Sequence, residues 1–272
     1  MPFLRHHLTI SPDLAFFVAT VGGETAGCGL AGTWVPGDES DHVPADVSVL
    51  PEQRRRGIGT AILRAVSEHA RSVGRTGLTV EVREDDEESL AFAARRGFVE
   101  AERQKAVVLE LEGAPVAAVE PPPGVEIVAR ADRDDLLEGM YAVGLEAVRD
   151  IPGTSSDREP TFAEWRSFEI DRPTRRPELS FVALVDGEVA GFASVDVLGE
   201  IGYNGLTAVA RAHRRRGVAR ALKLSQIAAA KELGLSRLVT ESEERNEPMR
   251  RLNESLGYRP VPGMVVLQGP LP

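Results

Sequence analysis

Residues 213–220, His-Arg-Arg-Arg-Gly-Val-Ala-Arg, decide how the chain folds. They follow a short β-like run, Gly205–Val209, and they open a long helical pattern. The first turn of a helix has unpaired N–H groups and the positive end of the helix dipole, and a glycine lets a ligand approach the backbone closely. A basic strand-to-helix junction that contains glycine therefore predicts an anion-binding site.

Nearly the same residues occur earlier, at 53–60, as Gln-Arg-Arg-Arg-Gly-Ile-Gly-Thr. Residues 54–98, shifted by 160 positions, align without a gap on 214–258, and 12 of the 45 pairs are identical. The identities include the arginine triplet and two turn glycines, Gly74 and Gly97. An ungapped match of this length, in which the turn glycines stay aligned, indicates an internal duplication.

Hydrophobic periodicity predicts a mixed α/β pattern in both copies. In the first copy it predicts helices from Ile58 and from Asp86, and strands at 15–21, 25–34, 46–50, 78–82, 98–103 and 105–111. In the second copy it predicts a strand at 125–129, helices at 132–149 and 161–170, and a hairpin that begins near Leu179. Only 14 residues precede the first hairpin of the chain, so the first copy is predicted to lack the initial strand and both helices.

A proline-rich segment separates the copies. It contains Pro115 and Pro121-Pro122-Pro123-Gly124, which is typical of a stiff linker. We therefore predict an N-terminal domain at 1–117, a linker at 118–124 and a complete C-terminal domain at 125–272.

Composition narrows the classes of function. A net charge of −10 argues against a general role in binding nucleic acid. There is no apolar run of about 20 residues and no signal-peptide core, so we expect a cytoplasmic protein without a membrane span. Cys28 has small apolar neighbours, which predicts a buried thiol. His6, His7 and His42 lack partners at ligand spacing, so no metal site is expected.

The order of elements and two motifs resemble the GNAT superfamily of N-acetyltransferases. The first motif is Arg-x-x-Gly-x-Gly/Ala, at Arg54–Gly59 and at Arg214–Ala219, and the second is the stretch Asn246–Tyr258. The resemblance implies two α/β domains, each with a mainly antiparallel sheet flanked by helices, the first truncated at its N-terminus. The tandem arrangement is similar to that of mycothiol synthase, although no set of residues assigns that substrate.

The resemblance implies acetyl-CoA as the acyl donor, bound where the sheet splays after its fourth strand. Amides at the helix start would bind the pyrophosphate, and a strand N–H would polarise the thioester carbonyl. In the second copy the implied residues are Ala208, Val209, Arg214, Arg215, Arg216, Gly217, Val218, Ala219, Asn246 and Asn253. In the first copy they are Val49, Arg54, Arg55, Arg56, Gly57, Ile58 and Gly59.

The implied acceptor is a primary amine, of a small molecule or of a peptide, that attacks directly, so the site needs a base for the amine and a proton for the thiolate. The candidates are Glu241, Tyr203, Glu200 and Asn253. Many family members carry a tyrosine proton donor where this chain has Asn253, which leaves the donor open, and a water chain is an alternative to a protein base. Asn246 is equally well explained as a helix N-cap, and Trp165 is a candidate for the acceptor pocket or for the core.

The resemblance also implies which copy is catalytic, because in this family the first two helices form the wall of the acceptor pocket. The second copy is therefore predicted to be catalytic, and the first to be structural or to bind CoA without efficient turnover. A non-catalytic acyl-CoA-binding or sensor protein is the alternative. The truncated first copy is predicted to expose apolar surface, which makes a homodimer possible.

Overall fold

The computed structural model describes residues 11, 13–33, 40–113, 119–151 and 158–272. Within these residues the chain forms two units. The first contains residues up to Arg103 together with the C-terminal Met264–Pro272, and the second contains most of Gln104–Gly263. No helix in the described part of the chain is long and apolar enough to span a membrane.

The first unit is a five-stranded sheet with two helices. Its strands are β1 (Ala15–Val21), β2 (Glu24–Ala31), β3 (His42–Val49), β4 (Gly77–Arg83) and the end of β11 (Arg259–Pro270), paired in that order. Its helices are α1 (Ile58–Ser72) and α2 (Glu87–Ala94). Only the β3–β4 pair is parallel. Ile62, Leu63 and Val66 of α1 pack on the sheet, as the helical periodicity predicts.

The second unit repeats this sheet and adds elements ahead of it. Its strands are β6 (Glu126–Ala129), β7 (Phe181–Val185), β8 (Glu188–Leu198), β9 (Ile201–Val209), β10 (Arg237–Glu243) and the end of β5 (Val99–Glu110), again paired in that order. Its helices are α3 (Leu137–Val148), α4 (Phe162–Trp165, continuing as a π-helix over Arg166–Ile170), α5 (Val218–Glu232) and α6 (Glu247–Ser255). Only the β9–β10 pair is parallel. The mixed, mainly antiparallel fold predicted from the sequence is confirmed.

The two final strands differ from the sequence-based prediction. Residues 98–103 and 105–111 were expected to form two strands, but β5 is one strand, and its residues 104–110 pair with β10 of the second unit. In the same way Met264–Pro270 of β11 pairs with β4 of the first unit. Each sheet is thus completed by the last strand of the other sequence copy, and the units do not follow the linear boundaries at 117 and 125. Local patterning identifies a strand but not the sheet that accepts it.

The β1–β2 hairpin corrects the expectation for Cys28, which is exposed. In β2 the residues on either side, Gly27 and Gly29, face α1, and a Cβ on Gly29 would lie 2.4 Å from Ile62. Strand alternation therefore turns the thiol to the opposite face. Exposed Phe16 and Val18 lie on β1, with Val18 paired to Cys28. The homodimer stays a prediction.

Candidate active site

The two arginine-glycine loops have the same backbone conformation. Arg55 and Arg215 are left-handed, with φ of 62° and 58°, and Gly57 and Gly217 follow with φ of 82° and 85°. Each glycine is the N-cap of the next helix, and no side chain caps either first turn. The opening N–H groups of both helices therefore remain available, in a geometry that suits an anion.

Two of the three arginine side chains of the first loop are bound to a carboxylate. Arg54 and Arg55 form ion pairs with Glu88 of α2, at 3.3 and 3.4 Å. The residue at the position matching Glu88 in the second copy is Pro248. Glu88 lies in the first turn of α2, so the carboxylate beside the first loop comes from this helix.

The second loop is held differently, by a helix that has no counterpart among the described residues of the first copy. Arg214 Nη1 lies 2.6 Å from Asp150, just after α3. Arg214 Nε donates to the Val209 carbonyl at 2.9 Å, a bond that the first loop shares, since Arg54 Nε donates to the Val49 carbonyl at 3.4 Å. Arg211 also binds Asp150, and the two guanidinium groups hold the pKa of this carboxyl well below its usual range. Arg215 has no ion pair within the described residues, so its charge is available to a ligand.

Beside the second loop, β9 and β10 diverge. They pair only from Ile201–Arg237 to Tyr203–Val239. From Asn204 onward the backbone groups of β9 that face β10 have no partner in that strand, so an extended ligand arm could bind along this edge. The first unit has a matching divergence, since β3 pairs with β4 only as far as Pro44–Thr79.

A bulge in β9 distinguishes the two units. The β8–β9 register shifts between Ala193–Thr207 and Val195–Asn204, which leaves Gly205 and Leu206 as the bulged residues of β9. The β2–β3 register runs from Gly27–Val49 to Ala31–Ala45 without a shift. The bulge accounts for a difference in sequence spacing. The arginine loops are offset by 160 positions, whereas the paired starts of β9 and β3 are offset by 159.

Polar side chains lie behind the bulge of the second unit, and sequence analysis missed their role. Four of these side chains are buried: Lys223 and Gln226 of α5, Asn253 of α6, and Tyr258. The fifth is Asn204 of β9. Tyr258 donates to Asn204 Oδ1 at 2.8 Å, and Asn204 Nδ2 donates to Gln226 at 3.0 Å. Burial raises the pKa of Tyr258 and lowers that of Lys223 to about 8.

The matching positions of the first copy are all apolar and all belong to its core: Ala45, Leu63, Val66, Ala93 and Phe98. This cluster could have been found by aligning the two copies and looking for positions that are polar in one copy and apolar in the other. Buried polar groups carry a free-energy cost that an apolar core avoids, so their presence in one copy alone indicates a role in that copy.

Asn253 is buried, and neither its Nδ2 nor its Oδ1 has a hydrogen-bond partner among the residues that the structure describes. An unpartnered buried amide costs free energy unless a ligand or water satisfies it. Its position on α6 is the one for which a contact with CoA was predicted. The amide therefore fits a polar acyl-CoA arm, as do the uncapped N–H groups of α5.

Three candidates for proton transfer lie in different places. Glu241 lies on β10, two residues beyond Val239, the last residue of β10 that pairs with β9. The residue as a whole is exposed, but its carboxyl group is partly buried, and this burial raises its pKa. Tyr203 is the last β9 residue paired with β10. Glu200 lies in the β8–β9 turn, where its carbonyl binds Ser236, and it is about 30 Å along β9 from Val209. Glu241 and Tyr203 therefore lie near the point where β9 and β10 diverge, whereas Glu200 lies far from the second arginine-glycine loop.

The N-cap interpretation of Asn246 agrees with the structure. Its side chain accepts from Met249 N–H at 3.4 Å, and Asp86 accepts from Ser89 N–H at 3.0 Å in the first copy. These contacts stabilise the starts of α6 and α2. The predicted contact of Asn246 with CoA stays a prediction.

Trp165 lies in a buried aromatic cluster with Tyr141, Phe162 and Phe192, at ring separations of 5.6 to 6.5 Å. It packs where α4 meets the sheet, and its predicted contact with the acceptor stays a prediction.

A buried charged cluster follows α4. Arg175 Nη2 lies 3.2 Å from Glu169, its Nη1 lies 3.5 Å from Asp196, and Ser194 donates to Glu169 at 2.7 Å. A Cβ on Gly205 would lie 2.6 Å from both Arg175 and Ser194. The bulge is therefore packed directly against this cluster.

Within the described ranges, no group of three or more His, Cys, Asp or Glu residues could hold a metal ion. His6 and His7 lie outside those ranges.

The model of the acetyltransferase (GNAT) family matches residues 1–98 and 145–258, which is most of the chain. The chain belongs to the GNAT family. The mycothiol acetyltransferase of Thermomonospora curvata is 29% identical over 242 residues, covering 87% of this GNAT chain and 77% of that protein. The mycothiol acetyltransferase of Acidothermus cellulolyticus is 27% identical, covering 88% and 79%.

Solved GNAT structures share the fold over most of the chain. A tandem GNAT protein from the clavulanic acid biosynthesis pathway, solved without AcCoA, superposes with a TM-score of 0.80 at 26% identity, covering 99% of this chain and 87% of that one. An N-acetyltransferase from Sphaerobacter thermophilus superposes with a TM-score of 0.72 at 21% identity, covering 92% and 78%. The first of these and the mycothiol acetyltransferases support the tandem arrangement predicted from the internal duplication.

Proposed function

We propose that the second copy transfers an acetyl group from acetyl-CoA to a primary amine, which attacks the thioester directly. The observation that carries the proposal is the bulge of β9 at the strand divergence, with a buried polar cluster behind it. The described residues of the first copy have neither feature. The acceptor is unidentified, and the names of two relatives make a mycothiol-related amine one candidate.

Each part of the second copy has a stated task. The N–H groups of Val218, Ala219 and Arg220 bind pyrophosphate at the uncapped helix start. The unpaired β9 backbone and the Asn253 amide bind the pantetheine arm. Bound acetyl-CoA supplies the acyl group as an activated thioester. Unpaired N–H groups of β9 are aimed at the carbonyl oxygen, where negative charge develops.

Proton transfer is assigned to the groups that lie near the divergence. Glu241 is the proposed base, because partial burial raises its pKa toward the range that suits an amine. Asn253 occupies the position of the tyrosine found in many family members, and it donates a hydrogen bond to the sulfur rather than a proton. Water at the open edge of β10 then protonates the thiolate.

The first copy keeps the loop without the rest of the site. Arg54 and Arg55 are paired with Glu88, strand β3 has no bulge, and apolar residues replace the polar cluster. We propose that it is structural, or that it binds CoA without efficient turnover.

A matched pair of variants tests which loop serves catalysis. Gly217→Glu and Gly57→Glu each place a carboxylate in one loop, at glycines with nearly the same positive φ. The backbone strain of about 1–2 kcal/mol is therefore common to both, whereas a Cβ on Gly217 alone also meets Pro122, at 3.3 Å, a difference that the alanine controls measure. Repulsion between the carboxylate and the pyrophosphate should reduce kcat/KM by about 100-fold in Gly217→Glu and by less than about twofold in Gly57→Glu.

The measurement is thiol release from acetyl-CoA over a panel of primary amines, with CoA affinity measured by calorimetry. Gly217→Ala and Gly57→Ala are the controls, because they carry the strain without the charge. The reverse ranking of the two glutamate variants would assign catalysis to the first copy. Tight acetyl-CoA binding without thiol release for any amine would favour the alternative, a non-catalytic acyl-CoA-binding protein.

A further inference from the structure

The bulge of β9 is contacted on both faces by polar side chains. On the face toward α5, Asn204 immediately precedes the bulge and binds both Tyr258 and Gln226. On the opposite face Arg175 and Ser194 lie against Gly205. Neighbouring residues of a strand point to opposite faces, so these two sets of contacts fix the bulge from both sides.

The hydrogen-bond chain crosses three separate elements. Tyr258 follows α6, Asn204 belongs to β9 and Gln226 belongs to α5. Gln226 and Tyr258 are almost completely buried, so water does not compete for these bonds. The chain therefore ties the strand to both helices at the residue where the register changes.

The bulge and the chain occur together. In the first copy Ala45, Val66 and Phe98 replace Asn204, Gln226 and Tyr258, and the corresponding strand pair keeps a regular register. A bulge disrupts the local ladder and leaves a residue unpaired, so it requires specific support to keep one conformation. A core without polar groups would support a regular strand equally well.

We propose that Asn204, Gln226 and Tyr258 are positioning residues that hold the β9 bulge in the conformation that aims its backbone amides at the thioester. This inference rests on the proposed function for its catalytic part. The three residues act through the backbone of Gly205 and Leu206, and they do not touch the reacting atoms.

The test uses Tyr258→Phe, which removes one hydroxyl and introduces the residue of the first copy, and Gln226→Met, which keeps the side-chain length. Ile227→Val is the matched control, since Ile227 is a buried residue of the same helix that packs in the same apolar cluster as Tyr258 but takes no part in the hydrogen-bond chain. Circular dichroism and thermal unfolding establish that each variant is folded, and Asn204→Ser replaces any variant that is not.

The expected result is a fall in kcat of about tenfold for Tyr258→Phe and Gln226→Met, which corresponds to about 1.4 kcal/mol. The Kd for CoA stays within about twofold of the wild-type value, because the arginine-glycine loop at 214–219 is unchanged. Ile227→Val changes neither quantity. Wild-type kcat in both variants would overturn the proposal, as would a parallel loss of kcat and CoA affinity.

A second readout does not depend on activity. The backbone ¹⁵N order parameter of Gly205, measured by NMR relaxation on the full chain, should fall from about 0.85 toward about 0.6 in Tyr258→Phe and remain unchanged in Ile227→Val. An unchanged order parameter in Tyr258→Phe would overturn the proposal. If the wild-type protein releases no thiol with any amine, the proposed function fails, and the order parameter still decides whether the chain holds the bulge.

Discussion

Lys223 offers a direct measure of what the polar cluster costs the fold. Its side chain is 1% exposed, and its ammonium lies 5.4 Å from the centroid of the Tyr258 ring. Burial lowers its pKa from 10.5 to about 8. At about 1.4 kcal/mol for each pKa unit, the charged form is disfavoured in the folded state by about 3 kcal/mol.

The sign of the pH dependence follows from this depressed pKa. Below about pH 8 the lysine is protonated in both states, and the folded state carries the whole cost. Between about pH 8 and pH 10.5 the folded state loses its proton first, so the unfolded chain binds more protons and stability rises with pH. Above that window the lysine is neutral in both states and the cost disappears.

The perturbation is Lys223→Met, which keeps the chain length and removes the charge. We expect a gain in unfolding free energy of about 3 kcal/mol at about pH 7, falling to about 1 kcal/mol at about pH 9.5. Urea denaturation at several pH values in this range measures both numbers. Tyr258, whose pKa is raised by burial, is present in both proteins, so its contribution largely cancels in the difference.

Lys231→Met on the same helix is the control, since Lys231 is only half-buried. It should leave the slope of stability against pH unchanged. Equal slopes for wild type and Lys223→Met between about pH 7 and pH 9.5 would refute the reasoning, because they would mean that burial does not displace this titration.

Two further predictions concern stability and exposure. Arg175→Met should lower the unfolding free energy by about 3–5 kcal/mol in urea denaturation, because the buried Glu169 would lose its cationic partner and Asp196 would keep only Arg172. A loss below about 1 kcal/mol would contradict the importance of this pairing. Cys28 should react with Ellman's reagent in the native protein to one equivalent, since its side chain is exposed. Reaction only after denaturant is added would show that another surface covers β2.

The duplication and the conformation of both arginine-glycine loops could be predicted from the sequence because their determinants are local. A left-handed backbone at Gly57 and Gly217 needs glycine, and the helix that follows shows its apolar period directly. The mixed α/β fold follows from the same periodicity.

The polar cluster was partly visible and was not recognised. Lys223 and Gln226 stand at helical positions that the first copy fills with Leu63 and Val66. Taken alone, a lysine or glutamine in a helix is most simply a surface residue. Only packing shows that α5 turns both side chains inward, where they meet Asn204 and Tyr258.

Only the tertiary structure shows which sheet the strands β5 and β11 complete, and where β9 is bulged. Periodicity cannot show that β5 crosses to pair with β10, because any sheet edge offers the same hydrogen bonds. The bulge left one trace in the sequence, the single extra residue of β9 relative to β3, and its place at Gly205 depends on contacts from both faces. The sequence by itself therefore determined two arginine-glycine loops in two related folds. Packing around one strand decided that only the second loop adjoins a polar, bulged site, because long-range contacts and not local preference set which groups are buried together.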